Sequence, residues 1–383
     1  MTMNFSLTDT QMLQWESIVE FSRRELNAEV RENDQQGTFP VANWKKCAEM
    51  GLLSLLTPEQ YGGLGEDLMS TVNSIEALSY GCEDSGLVHA IITQLCCIVL
   101  VNLYGSEEQK KQFLGKLSSG EIIAAQSITE PDAGSDVLSM RTKVDSAGAA
   151  YSLSGGKVFI SNGPLAGLVI VFAKCSAGKS AFGDISCFLV ESNSAGYTMG
   201  KPLQKMGLRT LQNCEMFFDE VCVPEQMMLG KSGHGMFIFN EAIEWERALM
   251  TASHLGTIER VLEKSVDYVK TRKQFGKEIG KNQAIANKIG TMKINLELGK
   301  LILYKIAWLK DQGKRATLEA SLGKLFVSES LKSACLDAIQ IHGGYGYMQE
   351  CDLERDLRDS VAATIYSGTS EMQRNIIARM LGI

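Results

Sequence analysis

The sequence predicts an α+β protein made of three successive parts, and three observations predict it. Apolar residues first recur at helical spacing, short apolar or alternating segments follow, and long amphipathic stretches fill the remainder. We therefore expect an N-terminal α-helical domain at residues 1–122, a middle antiparallel β domain at 123–232, and a C-terminal helical bundle at 233–383.

The first part contains clear helix signals. Thr8, with a glutamine three positions later, forms a capping-box pattern. The apolar positions that follow at helical spacing are Leu13, Trp15, Ile18, Val19 and Phe21. Pro40 is placed to open a second helix, Pro58 and the glycines of residues 61–65 predict a loop, and a further apolar helix is expected at Ala90 to Tyr104.

The middle part changes to short segments of strand character. Glycine, serine and asparagine separate these segments, which is typical of an antiparallel β structure. The predicted strand segments are Lys157 to Ile160, Gly167 to Ala173, Ile185 to Val190 and Glu215 to Phe218.

The last part returns to helix in long elements. Met236 to Lys270, Asn282 to Gln312 and Arg315 to Ile341 each predict a long amphipathic helix. Gly313 is placed to end the second of them, and the hydroxyl of Thr369 suits the start of a final helix. Three or four long helices with short connections predict a bundle.

Composition limits the function classes. Lys and Arg number 38 against 45 Asp and Glu, a net charge of −7, so nucleic acid and anionic membranes are not expected as partners. Residues 1–24 lack the pattern of a signal peptide, and the apolar stretch Leu87 to Leu103 is interrupted by His89, Gln94 and Asn102, so we expect no membrane span. Ten cysteines without metal-ligand spacing predict free thiols in a reducing cytoplasm.

One carboxylate stands out on the helix that begins near Met236. The apolar stripe of this helix contains Phe239, Ala242, Ile243, Leu249 and Met250. Glu246 falls on that stripe, whereas Glu241 and Glu244 are expected on the other face. A carboxylate on a core-facing stripe must be paired, protonated or functional, because burying a lone charge is costly. The helix leaves two interpretations open with equal weight, a catalytic base or a structural ion pair with Arg247 or a distant lysine.

Other patterns are weaker. Thr129–Asp136 is rich in turn formers, and the glycines of His342–Tyr347 would allow a ligand to approach the backbone but would also end a helix. Neither these glycines nor residues 233–235 lie between a strand and a helix, so a Rossmann dinucleotide site is not predicted. The histidines have no metal-ligand spacing and are expected to be structural; they are His89, His234, His254 and His342.

Eight short segments carry a combined signal. They are Pro58–Gly63, Thr129–Asp136, Phe159–Gly163, Met206–Arg209, Arg272–Gly276, Gln283–Ile285, Gln340–Gly344 and Ile365–Ser370. In number, order and spacing they resemble the acyl-CoA dehydrogenase family across nearly the whole chain. The resemblance implies that family's fold, with an N-terminal helical domain, a middle antiparallel β-barrel-like domain and a C-terminal four-helix bundle.

The resemblance also implies FAD, held between the β domain and the bundle. The residues at positions that would line the isoalloxazine are Gln126, Ile128, Thr129, Ser135, Phe159 and Ser161. Those that would hold the pyrophosphate and adenosine from a neighbouring subunit are Arg272, Gln274, Phe275 and Gln283. Those that would complete the site are Gln340, Gly343, Gly344, Thr369 and Glu371. Because such a site crosses subunits, a homo-oligomer is implied, a tetramer or else a dimer.

The implied reaction needs a base, and the sequence departs from the commonest family pattern there. Many members carry a glutamate where this chain has Ser367, and serine cannot be the base. A minority, including isovaleryl- and long-chain-type members, place the base on the bundle helix before an arginine, the position of Glu246 before Arg247. The resemblance then implies that Glu246 removes the α-proton of an acyl thioester, while a hydride passes to flavin N5 and the Ser367 N–H binds the thioester oxygen. Arg247 would orient Glu246 or the substrate.

The substrate is less sharply indicated. Trp245–Arg247 is similar to enzymes acting on prolyl or other acyl groups tethered to carrier proteins, which we place ahead of free CoA. The implied substrate contacts are Ser135, Glu244, Arg247, Tyr366 and Gly368. The electron acceptor stays open between an electron-transfer flavoprotein and oxygen. Two rivals also stay open: a non-catalytic scaffold, suggested by Ser367, and a monooxygenase or nitroalkane-oxidase-like relative.

Overall fold

The computed structural model describes residues 7–148, 150–175 and 184–383. Its N-terminal helices are α1 Asp9–Glu25, α2 Val30–Gln36, α3 Val41–Glu49, α4 Leu68–Gly81, α5 Ser85–Tyr104 and α6 Glu107–Ser118. The predicted capping box of Thr8 is confirmed, since its side chain accepts from the Gln11 N–H and the Gln11 side chain accepts from the Thr8 N–H. The predicted helix after Pro40 is α3, and residues 58–65 form a turn.

Helix α5 is long and apolar. By length and composition it could cross a membrane, despite His89, Gln94 and Asn102. However, 89% of its most apolar window is buried inside the protein, as expected for a central core helix. Helices α4 and α6 were not predicted. Helix α4 is buried on most of its circumference and therefore lacks a clear amphipathic pattern.

Among the described residues, the middle part forms one eight-stranded mixed sheet. Its strands are β1 Ala124–Ser127, β2 Lys143–Ala147, β3 Ala150–Ser161, β4 Leu168–Cys175, β5 Ile185–Glu191, β6 Tyr197–Met199, β7 Asn213–Pro224 and β8 Met228–Leu229. The order is β6-β7-β3-β2-β4-β5-β8, with β1 also paired to β4. Most strand pairs are antiparallel as expected, but β1 and β2 both run parallel to β4, which the sequence did not predict. Strand β1 pairs with Leu168–Val171 at the start of β4, and β2 pairs with Lys174 and Cys175 at its end.

Strand β4 lies at the centre of the domain and is buried on both faces. Leu168, Ile170 and Phe172 belong to a core shared with α5, α6 and α7, whereas Val169 and Val171 face a second core inside the curved sheet. This alternation follows from the two-residue period of a strand. One face of the sheet is therefore fixed against the helices that surround the site described below.

The last part contains three long helices and two short ones. They are α7 Gly235–Thr271, α8 Gln283–Asp311, α9 Thr317–His342, α10 Leu353–Ala362 and α11 Ser370–Met380. A small hairpin, β9 Lys273–Gln274 and β10 Lys277–Glu278, joins α7 to α8. The predicted stop at Gly313 is confirmed by its φ of +67°, and Thr369 caps α11 by accepting from the Met372 N–H. Helix α10 was not predicted, because its ten residues carry many charges that pair within the protein.

Helix α7 contacts helices from both the first and the last part of the chain. It packs against α4 and α5 of the first part and against α8 and α9, and the buried residues of all of these form one continuous core. At Gly256 the backbones of α7 and α4 are so close that a Cβ atom would lie 2.2 Å from the Glu76 carbonyl oxygen. The first and last parts therefore share a core and are not independent folding units.

The close approach at Gly256 predicts the effect of adding one methyl group. Gly256→Ala should lower the free energy of unfolding by about 1–3 kcal/mol, because the added Cβ meets backbone atoms that cannot move away. Urea denaturation measures this change. Gly290→Ala on α8 is the matched control, since a Cβ there meets nothing within 4 Å, and it should raise stability by about 0.5–1 kcal/mol. Equal effects of the two changes would contradict the packing argument.

Candidate active site

Glu246 lies on α7 where α5, α9 and the chain before α11 meet. Its side chain is partly buried, and its Oε1 accepts a hydrogen bond from the Ser367 hydroxyl. Among the described residues it has no cationic partner within 4.0 Å, so the structural ion pair considered from the sequence is not formed. Glu246 is therefore a carboxylate placed in the protein interior without a neutralising salt bridge.

The environment of Glu246 shifts its proton affinity. Burial raises the pKa of the carboxyl above its ordinary value of 4.5, because the charged form loses solvation. The Ser367 hydrogen bond and the positive charges of Arg247 and Lys324 oppose this effect, and the net result is a raised pKa. A carboxylate held at a raised pKa is a stronger base than one in water.

A tight turn at Ser367 and Gly368 faces Glu246. Ser367 has a φ of +54°, a strained conformation for a residue other than glycine that the surroundings must hold, whereas Gly368 has a φ of +86°, which glycine adopts readily. Three donors hold it: the Arg247 Nε and Gln373 Nε2 bind the Ser367 carbonyl at 3.2 and 3.1 Å, and Lys324 Nζ binds the Gly368 carbonyl at 2.7 Å. A side chain at position 368 would meet the Gln373 amide at 2.8 Å, which explains the glycine.

The turn leaves its amide groups available. No described residue accepts a hydrogen bond from the N–H of Ser367 or of Gly368. Since the turn's carbonyls point to Arg247, Lys324 and Gln373, these unpaired N–H groups are directed elsewhere. An anion or a carbonyl oxygen could be bound there.

Lys324 and Gln373 were missed by the sequence analysis. Lys324 is 1% exposed on α9, and burial lowers the pKa of its ammonium to about 8, with Arg247 adding to the effect. Gln373 is fully buried on α11. A lysine on the buried face of α9 is a signal that the sequence contained, but the face became identifiable only once α11 was placed over it.

Arg247 supports the turn more than it supports Glu246 directly. It is 4% exposed, and its second guanidinium contact is the Ser321 hydroxyl at 3.3 Å. Burial lowers the pKa of Arg247 to about 10, while the charges of Glu246 and Glu244 oppose that change. The guanidinium is thus a cation held between two carboxylates and bonded to the turn.

Glu244 does not lie where the sequence analysis placed it. The expectation of an outward position is wrong, because α7 is surrounded by other helices and Glu244 is 4% exposed. Its carboxylate binds Lys310, the Thr317 hydroxyl and the Ala316 N–H at the start of α9. It acts on the site through its charge near Arg247, and its proposed contact with substrate stays a prediction.

A second wall of the site comes from the sheet. Gln126, Ile128 and Thr129 lie at and just beyond the end of β1, and Phe159 and Ser161 lie at the end of β3. A buried ion pair fixes this edge, since Lys157 Nζ binds Glu130 Oε1 and the Ile128 carbonyl, both at 2.9 Å. The Asn213 amide binds the Phe159 carbonyl at 3.0 Å and the Ser161 hydroxyl at 3.1 Å. Neither Lys157 nor Asn213 was predicted.

Helix α5 connects this sheet edge to Glu246. The Gln126 side chain interacts with the Cys97 thiol, whose pKa is also raised by the charge of Glu246 after the larger effect of burial. Asn162, at a φ of +61°, donates to the Ala90 carbonyl on α5 and to the Ala124 carbonyl on β1. Ser135 is exposed in its loop, and no described contact joins it to Glu246.

The remaining predicted cofactor residues form a separate cluster at the far end of α7. The members are Arg272, Gln274, Phe275, Gln283, Gln340, Gly343 and Gly344, all exposed. Arg272 lies over the Tyr345 ring at 5.9 Å, which brings the hairpin and the end of α9 together. Glu246 and Thr271 are separated by 25 residues of one helix, about 37 Å. One compact site within one chain therefore does not include both clusters, whereas Thr369 and Glu371 adjoin the Ser367 turn.

Three family models match the chain in order. They are the acyl-CoA dehydrogenase N-terminal domain at residues 8–121, the middle domain at 125–221 and the C-terminal domain at 233–382. An L-prolyl-[peptidyl-carrier protein] dehydrogenase of Pseudomonas fluorescens is 39% identical over 99% of this chain and all of its own length. The solved structure of the prolyl acyl carrier protein oxidase AnaB is 39% identical, with a TM-score of 0.96, over 99% of this chain and 100% of its own. The structure of PigA with FAD and proline is 35% identical, with a TM-score of 0.96, over 99% of each chain.

Two buried histidines beside the site predict sensitivity to acid. Burial lowers the pKa of His89 and of His254 from 6.5 to about 3. Below pH 6.5 the unfolded chain takes up a proton on each histidine while the folded chain does not. Above pH 6.5 the two histidines therefore do not penalise the folded state. As pH decreases from 6.5 toward 3, the free energy of unfolding falls by up to about 1.4 kcal/mol per pH unit per histidine.

Urea denaturation at pH 6.5 and 4.5 measures this slope. His254→Asn and His89→Asn should each reduce it. Ser253→Ala, which changes a buried residue of the same region without removing a titrating group, should leave it as in the unchanged protein. The assignment fails if neither histidine variant differs from that control.

Proposed function

Because this chain belongs to the acyl-CoA dehydrogenase family, we propose that it is an FAD-dependent dehydrogenase of an acyl thioester, with a prolyl or similar acyl group on a carrier protein as substrate. The observation that carries the proposal is the unpaired Glu246 carboxylate, held against Ser367 at the junction of α7 with the sheet edge. The carrier-protein substrate is supported by relatives with that name that match over the full chain.

The residues at the sheet edge fit a flavin. The Gln126 Oε1 is buried without a partner among the described residues and is an acceptor for a ring N–H. Phe159, at the end of β3, is 65% exposed and offers an apolar surface for a planar ring system. When bound there, FAD would accept the hydride that leaves the β-carbon of the acyl group. The residues proposed to hold its isoalloxazine are Gln126, Ile128, Thr129, Ser135, Phe159 and Ser161, with Thr369 and Glu371.

The distant cluster supports an oligomer. Arg272 supplies a cation, Phe275 is 96% exposed, and Gly343 and Gly344 leave open space where side chains would otherwise stand. These features suit a pyrophosphate and an adenosine, but about 37 Å of helix separates them from Glu246. We propose that they serve the neighbouring subunit of a homotetramer. A monomer of full cofactor affinity in analytical ultracentrifugation would exclude this assembly.

In the proposed reaction, Glu246 takes the α-proton of the thioester. That proton is very weakly acidic, so the base must be placed against it and the carbonyl oxygen must be stabilised as negative charge develops. The N–H of Ser367 is free to donate to this oxygen, a role that needs no serine side chain. Arg247, Lys324 and Gln373 then act by holding the turn in its strained geometry.

The electron acceptor and the tether are the open alternatives. Relatives of equal identity are named as a dehydrogenase and as an oxidase, so an electron-transfer flavoprotein and oxygen are both candidates. Free acyl-CoA remains the alternative substrate, a non-catalytic scaffold remains a rival, and incorporation of oxygen into product would indicate a monooxygenase. The buried thiols support a cytoplasmic location. Stopped-flow flavin reduction with prolyl carrier protein and with acyl-CoAs separates the two tethers.

Replacing the base tests the central assignment. Glu246→Gln should retain FAD and its absorption bands but lose about 10²–10⁴-fold in the rate of anaerobic flavin reduction by substrate, because the amide cannot take the proton. Glu319→Gln, which removes a carboxylate of α9 whose described ion pair is with Lys305, is the control and should reduce flavin normally. Unchanged flavin reduction in Glu246→Gln would favour the scaffold interpretation or another base.

Removing the Ser367 hydroxyl should change the pH dependence of flavin reduction. The hydrogen bond stabilises ionised Glu246, so in Ser367→Ala the pKa of the base rises further and the acidic limb of the rate profile moves to higher pH. Ser265→Ala, which removes a buried hydroxyl elsewhere on α7, should leave the limb in place. A limb that moves to lower pH would contradict this direction.

A further inference from the structure

A small cavity lies behind Glu246 in the interior of the helices. The cavity has a volume of about 20 Å³, which is enough for about one water molecule. Its walls come from α5, α7, α9 and α10, and the residues that concern the argument are Ser85, His89, Met250, Ser253, His254 and Tyr366. The cavity is thus too small for an alkyl chain. Most of its lining residues are polar and include Asp356 and Asp359, although apolar atoms contribute much of its surface.

The polar groups of this cavity are incompletely paired. His254 Nε2 and the Tyr366 hydroxyl form a hydrogen bond of 2.7 Å, but His254 Nδ1 is buried without a partner among the described residues. The rings of His89 and Tyr366 are nearly perpendicular, with their centroids 4.8 Å apart. Neither ring nitrogen of His89 makes a described hydrogen bond. His89 and His254 are 8% and 5% exposed. An unpaired buried polar atom is costly, so a ligand or a water that bonds to it is favoured.

The cavity adjoins the place where the acyl group must lie. Met250 follows Glu246 by one helical turn on the same face of α7, and Tyr366 directly precedes Ser367. Tyr366 lines the cavity, and its hydroxyl bonds to buried His254, so this residue connects the Ser367 turn to the cavity. An acyl group whose α-carbon is at Glu246 would have this wall beside it.

We propose that His89, His254 and Tyr366 form a polar end wall that restricts the acyl group to short chains bearing a hydrogen-bonding substituent, such as the ring nitrogen of a small cyclic amino acid. The proposal rests on the proposed function. A substituent that reaches the cavity through a single bridging water would satisfy the His254 Nδ1, which is buried and without a partner among the described residues. An alkyl chain would cover the same nitrogen without bonding to it, and a longer chain would find no volume beyond the wall.

A pair of matched substrates tests this wall. Prolyl and cyclopentanecarbonyl groups, each loaded as a thioester on the same carrier protein, differ only in the ring nitrogen. The ratio of their second-order rate constants for anaerobic flavin reduction is measured in the unchanged protein and in His254→Leu and His89→Leu. The intrinsic difference in α-proton acidity is the same for every variant, so a change in the ratio reports the wall.

We expect the preference for prolyl to fall about tenfold or more in His254→Leu, with the larger part in substrate affinity. His254→Asn, which keeps a polar atom near the Nδ1 position, should restore more of the preference than His254→Gln, which keeps one near Nε2. His234→Leu, at the start of α7 and about 18 Å along the helix from Glu246, is the control and should keep the ratio.

The possible results distinguish a failure of the proposed end wall from a failure of the proposed function. If prolyl carrier protein reduces the flavin and the ratio is unchanged in both leucine variants, the wall is wrong and the proposed function stands. If neither thioester reduces the flavin of the unchanged protein, the proposed function fails first. Should the leucine variants be unstable, an unchanged ratio in both His254→Asn and His254→Gln, together with an unchanged ratio in Tyr366→Phe, would also overturn the wall.

Discussion

The candidate site depends on the hydrogen bonds that hold the Ser367–Gly368 turn against α7. Arg247, Lys324 and Gln373 each donate to a carbonyl of the turn, from three different helices. This bonding fixes a strained backbone, places the Ser367 hydroxyl on Glu246 and leaves the turn's N–H groups unpaired. Arg247 and Lys324 are cations whose pKa values are lowered, because burial disfavours their charged forms. This free-energy cost of burial accompanies the hydrogen bonds that keep the turn in one conformation.

The large-scale architecture serves the same requirement. Because α7 shares one core with α4, α5, α8 and α9, Glu246 cannot move without disturbing helices from both ends of the chain. The sheet is attached to this core through β4 and α5, and Asn162 bonds α5 to β1. The edge proposed to hold the flavin is therefore fixed relative to the carboxylate. A reaction in which a base and an acceptor must face adjacent carbons requires such rigid placement.

Much of the fold was readable from the sequence because strong local signals coincide there. The capping box at Thr8, the glycine at 313 and the long periodic segments located most of the long helices. Short apolar or alternating segments located β3, β4, β5 and β7 but not β1, β2, β6 or β8. The parallel pairing of β1 and β2 with β4 was not readable, since pairing depends on residues distant in sequence. Helix α10 was missed although its two faces differ in polarity, because the segment is only ten residues long and its buried charges have their partners on other elements.

The sequence by itself determined the fold class and the position of Glu246 on a core-facing stripe, because the periodicity of a helix or a strand is a local property. It did not determine which other carboxylate is buried: Glu244 was expected outward, but tertiary packing surrounds α7 on all sides and binds that residue to Lys310 and α9. Only the tertiary structure brought Lys324, Gln373 and the paired His254 and Tyr366 to the carboxylate. The Lys324–Gly368 and His254–Tyr366 contacts join positions 44 and 112 residues apart, and no local pattern encodes them.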